Sequence, residues 1–206
     1  MPENKKTIQE WRGVRGLVAA KIKTDTEDAY ECETPFAIAG VAEISRTTET
    51  SSEAHYYDNA PAVVIDSTGS DEVTISASAI PFDVLAEITG QFYDDTNGMF
   101  VEGDRESDYF ALGYITEKTD GTEVFVWRNK GKFSIPDNTH TTKNDGAEAN
   151  GQELVFTGIN TVNKSATMKN KTYKAVNVDT SVNTTITEET FFATVQTPDT
   201  IATPNS

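Results

Sequence analysis

Two apolar-rich, strand-like runs, Asp108 to Lys118 and Glu123 to Phe133, stand on either side of Thr119-Asp120-Gly121-Thr122. Asp-Gly between two such runs is among the strongest local signals for a β-hairpin, because the glycine supplies the left-handed backbone that a tight turn requires. A chain with such a pair at its centre must bury a face of an antiparallel sheet. That places it in a mainly β class.

Further strand patterns lie at Val14 to Lys23, Ala39 to Arg46, Ala62 to Asp66, Val73 to Ala77, Leu154 to Thr161 and Tyr173 to Val178. Ser67-Thr68-Gly69-Ser70-Asp71 has the composition of a turn between two of them. One helix is predicted at about 81–89, opened by Pro81, whose missing N–H costs nothing in a first turn, and stopped by Gly90. Val84, Leu85 and Ile88 then share the face laid on a sheet. Thr187 caps a short second helix near 187–193. Residues 1–12 read as a polar N-terminal arm, 13–196 as one domain with an extended loop or hairpin at 47–71, and 197–206 as a flexible tail. Asp137 to Gly151 reads as a long surface loop. The 206 residues suffice for one independent core.

Charge is distributed very unevenly. The net charge is -16, and between Arg46 and Arg105 there is no lysine or arginine but twelve acids, so the rest of the chain carries only -4. Arg128, Lys130 and Lys132 alternate along one predicted strand, and Lys164, Lys169, Lys171 and Lys174 cluster later. Such a balance argues against a surface that grips phosphate. The acids serve either as a solvated face or as one half of a complementary contact between identical chains, which fixes register in head-to-tail assembly.

Catalytic chemistry has few candidate members. His55 and His140 are the two histidines and Cys32 the single cysteine, so no intramolecular disulfide is possible, and a reducing cytoplasm is the expected folding compartment. There is no glycine-rich phosphate loop and no paired-histidine zinc helix. Asp95-Thr96-Asn97-Gly98 matches part of a calcium loop, yet Tyr93 and Asp104 occupy its first and last ligand positions, so a tight turn is the better reading. No catalytic, cofactor-binding or metal-ligating residue is expected. No run of eighteen apolar residues suggests a membrane span, and the polar start does not read as a signal peptide.

The central block, Gly98-Met99-Phe100-Val101-Glu102-Gly103, then Asp108-Tyr109-Phe110-Ala111-Leu112-Gly113-Tyr114 and Trp127-Arg128-Asn129-Lys130-Gly131-Lys132-Phe133, resembles the major tail protein family of siphophages and prophages from Gram-positive bacteria. The similarity extends to Ile80 to Gly90 and Asn150 to Leu154. It implies a non-enzymatic virion protein with the tail-tube β-sandwich or barrel and a flanking helix. Such subunits polymerise as stacked rings, typically hexameric, made in the host cytoplasm. It also implies tape-measure, terminator and initiator partners, and DNA passing the lumen without specific binding. Carried onto this chain, inter-subunit contacts are expected at Glu49, Glu53, Tyr56, Tyr57, Asp58, Arg128, Lys130 and Lys132, and lumen-facing acids at Asp66, Asp71 and Glu72. The alternative reading is a tail-associated β-sandwich that binds cell-wall carbohydrate through exposed aromatics.

Overall fold

A computed structural model describes residues 8–57, 59–142 and 150–202. Asp58, residues 1–7 of the expected arm, residues 143–149 of the expected loop and the last four residues lie outside it. In chain order the elements are β1 (Trp11–Asp25), β2 (Tyr30–Cys32), β3 (Phe36–Ala37), β4 (Val41–Tyr57), β5 (Ala60–Ala77) and α1 (Phe82–Thr89). There follow β6 (Phe92–Asp94), β7 (Met99–Val101), β8 (Phe110–Lys118), β9 (Glu123–Phe133), β10 (Asp137–Asn138), β11 (Gln152–Gly158), β12 (Ala175–Asp179), α2 (Glu188–Phe192) and α3 (Pro198–Ala202).

The main sheet runs β2-β1-β8-β9-β11-β5-β4, with β12 pairing β9 and β3 pairing β1. Edge strand β4 returns to touch β1, so the sheet curls into an open half-barrel. The β8–β9 hairpin is its spine, turning at Gly121 with φ 86°. Both of its faces are buried, and side-chain alternation divides them. Phe110, Leu112, Tyr114, Val124 and Val126 join the larger cluster with Leu17, Val73, Ile75, Leu154 and Phe156. Ala111, Ile115, Phe125 and Trp127 point the other way, under Val176, Val178 and Phe191. This explains the near-continuous apolar runs at the centre of the sequence. Trp127 keeps its indole N–H satisfied by donating to the Phe191 carbonyl at 3.1 Å.

Helix α1 forms where the sequence predicts, following Pro81 and ending at Gly90 in the left-handed region, φ 72°. Leu85 and Ile88 are buried in the larger cluster and Val84 packs at its margin. Thr187 caps α2 by accepting from the Thr190 amide. Asp94 closes the β6–β7 turn by accepting from the amides of Thr96 and Asn97, the tight turn expected there.

Three local expectations are corrected. Ser67 to Asp71 does not turn but lies inside the 18-residue β5, paired as Ser51↔Ser67, Thr50↔Thr68 and Thr48↔Asp71. Serine and threonine supply turn composition, yet a partner strand satisfies the backbone here, and Gly69 leaves room for Glu49, which accepts from the Ser70 hydroxyl at 2.9 Å. Residues 197–202 are not a free tail. Helix α3 is pinned through Asp199, which accepts from the Ser165 hydroxyl at 2.9 Å and the Thr167 amide at 2.8 Å. At the other terminus, Trp11 and Arg12 already belong to β1, with Trp11 registered on Lys118.

Candidate functional site

The feature that the core does not explain is the β4–β5 hairpin. Between Asp71 and Ala77, strand β5 is flanked by β11 on one side and β4 on the other, but the β11 pairing ends at Gly158↔Asp71. From there to the tip, residues 60–70 have β4 alone as neighbour, roughly 36 Å of two-stranded ribbon at the usual rise per residue. Such a ribbon is marginal in water by itself. It is also apolar where it is least protected: Tyr56 and Tyr57 are 66% and 64% exposed, and Val63, Val64 and Ile65 are exposed beside them. Asn59, with φ 63°, turns the chain at the tip.

The root of the ribbon is an ionic cluster. Arg128 Nη1 donates to Asp71 at 3.0 Å, Lys174 Nζ lies 3.2 Å from the same carboxylate and Arg46 Nη1 3.7 Å. Lys174 also donates to the Gly69 carbonyl, and Arg128 Nη2 to the Tyr114 hydroxyl at 3.4 Å. Burial works to raise the Asp71 pKa, but hydrogen bonds from Thr48 and Lys174 and the charges of Lys174 and Arg128 outweigh it and hold it below the usual range. The cluster sits where β12 takes over from β11 beside β9, at Ala175↔Arg128, so it fixes the point at which the hairpin leaves the body.

A model of the phage tail tube protein family matches residues 35–197, which include the whole hairpin, its ionic root and most of both apolar clusters. The chain belongs to that family. No curated protein matches it in sequence. A tail tube protein is a structural component of the phage tail and so of the virion. Among the described residues of this tail tube protein no helix is long and apolar enough to cross a membrane, and no three His, Cys, Asp or Glu side chains gather as a metal site.

The expected contact residues divide. Glu49, Glu53, Tyr56 and Tyr57 lie on the hairpin, the last three on its outer half, while Asp58 falls outside the described residues. The basic alternation on β9 does not form an exposed stripe. Arg128 is buried against Asp71, Lys130 donates to Asp25 at 2.6 Å, and Lys132 donates to the Ser107 carbonyl at 2.8 Å with its ammonium 4.7 Å from the centre of the Tyr109 ring. Each is engaged by its own tail tube subunit. Asp66 and Glu72 are exposed, but Asp71 is 3% exposed and faces Arg128, not solvent. Arg46, Lys174 and the Val63-Val64-Ile65 run were missed as site residues. The last was readable as three consecutive apolar residues in a strongly acidic stretch.

Proposed function

We propose that this protein is the major tail subunit, which polymerises through the β4–β5 hairpin into stacked rings, hexameric as the resemblance implies, to form the hollow tube that conducts phage DNA. The observation that carries the reading is the ribbon beyond Asp71, whose exposed Tyr56, Tyr57, Val63, Val64 and Ile65 have no cover among the described residues. An apolar surface projected on a stalk is stabilised by burial against another molecule, and a contact between unlike surfaces of identical chains repeats without limit or closes as a ring. The role is structural, not enzymatic. Asp66 and Glu72 are the remaining candidates for an acidic lumen wall, which repels phosphate and lets DNA slide past. Tape-measure, terminator and initiator proteins are the expected partners.

Negative-stain microscopy of the purified protein tests this. Rings or tubes are expected from the intact chain, and folded monomers that form neither from a chain in which residues 50–68 are replaced by a two-residue Asn-Gly turn. Tubes from the shortened chain, or a small oligomer of the intact chain that binds cell-wall polymer, would sink the reading.

A further inference from the structure

The mouth of the half-barrel holds a cavity of about 680 Å³ between β1, β8, β9 and β4. Val14, Ile44, Tyr114 and Val126 supply its apolar lining, with Thr116, Asn177 and the buried Arg128 beside them. Its rim carries two arginines, Arg12 and Arg46, against one acid, Glu43, and their side chains are 63% and 48% exposed. Arg12 is paired with Glu117, and Arg46 donates to Thr48 and stands 3.7 Å from Asp71, so both are held at the rim, each with one acid of its own chain beside it. We propose that this groove receives the tip of the β4–β5 hairpin from a second copy of the chain, an inference that rests on the hairpin being the assembly element.

Complementarity of charge and of apolar character supports that occupant. The outer hairpin has no lysine or arginine, carries Glu53 and Asp66, and presents two tyrosines and a Val-Val-Ile run. An acidic tip that carries apolar side chains and an arginine-rimmed, partly apolar groove match in sign and in character, and a volume of this size takes a few large side chains. Tyrosine rings add contact with guanidinium planes beyond their buried area. The chain's own tip cannot fill the groove. Arg46 stands on β4 eleven residues before Tyr57, and a strand of that length holds the two roughly 36 Å apart. Pairing with β5 keeps the ribbon extended over most of that length, so the groove is left for another copy.

Two populations, each carrying Cys32→Ser, test this: one with Tyr57→Cys at the tip, the other with Glu43→Cys on the rim. Both substituted positions are exposed, so neither change disturbs the core. Mixed under assembly conditions with a bismaleimide, they are expected to give tip-to-rim heterodimers, whereas the Tyr57→Cys population alone gives none. Arg12→Glu is expected to slow tube growth by about tenfold or more at low salt, with the deficit shrinking as salt rises. Hairpin-dependent tubes without the heterodimer, and with Arg12→Glu growing at the normal rate, would overturn the groove while leaving the hairpin reading intact. No tubes from the intact chain, or tubes without the hairpin, would remove that reading and this inference with it. An intramolecular link in a dilute chain carrying both cysteines would assign the groove to the chain's own tip instead.

Discussion

Arg128 donates to Asp71 at 3.0 Å, with both side chains under 10% exposed, where β5 leaves the body of the sheet. The pair joins the central strand β9 to the base of the hairpin. A buried guanidinium deprived of its carboxylate is costly, so Asp71→Ala is expected to lose about 3–5 kcal/mol, whereas Glu53→Ala on the exposed ribbon changes stability by less than about 0.5 kcal/mol. Urea unfolding followed by circular dichroism checks both. Equal losses at the two positions would show that the root is not what anchors the hairpin.

Stability is expected to fall with acid through Asp199 and Asp179, in addition to Asp71 at the root of the hairpin. The Thr167 hydrogen bonds hold Asp199 down to about 2, and the Lys118 ammonium followed by Ser181 holds Asp179 there. Both folded values lie below the unfolded carboxylate value of about 3.9. Their contribution is therefore complete above that value and is lost as pH falls toward 2. Melting temperatures measured from pH 6 to pH 2 should decline mainly over the lower half of the range, and Asp199→Asn should flatten part of the slope. An identical profile for the substituted chain would remove Asp199 from this account.

Gly90 ends α1 with φ 72°, and a Cβ there would stand 2.0 Å from the Glu106 carbonyl oxygen. Gly98 shares the left-handed backbone but has nothing within 4 Å. Gly98→Ala is expected to cost about 1 kcal/mol for the backbone alone, and Gly90→Ala a further 1–3 kcal/mol or so for the clash. Thermal unfolding of the two variants separates the contributions, and equal costs would show that the Glu106 segment simply moves away.

The two tryptophans report on different surfaces, Trp127 being fully buried and Trp11 66% exposed beside the groove. Acrylamide should quench roughly one of the two emissions in the free chain. In Trp127→Phe, the remaining Trp11 emission is expected to shift to the blue as tubes form. A spectrum unchanged on assembly would mean that the groove stays wet.

Much of the scaffold was legible in the chain itself. Asp120-Gly121 marked the β8–β9 turn, and Pro81 with Gly90 bracketed α1, because each is a local conformational requirement carried by one residue type. The inner part of the hairpin was not, since Ser67 to Asp71 reads as a turn and becomes strand only through its partner on β4. Both faces of that ribbon meet water, so no alternation records its period. Arg128, Lys130 and Lys132 misled for a related reason. Their partners Asp71, Asp25 and Ser107 lie 57, 105 and 25 residues away, and such pairings are written in the fold alone. The apolar tip was half visible, Tyr56 and Tyr57 from their acidic setting, while Val63 to Ile65 read simply as part of a strand.

The uncovered ribbon also has a practical property that follows from its charge. Because residues 47–104 contain no lysine or arginine, trypsin has no cleavage point anywhere on the outer hairpin, however long it protrudes, and amine-directed labels pass it by. Chymotrypsin meets Tyr56 and Tyr57 at the most accessible point of the described chain's longest projection. Two common digestive enzymes thus see two different molecules: one finds the stalk blank, the other finds it offered first.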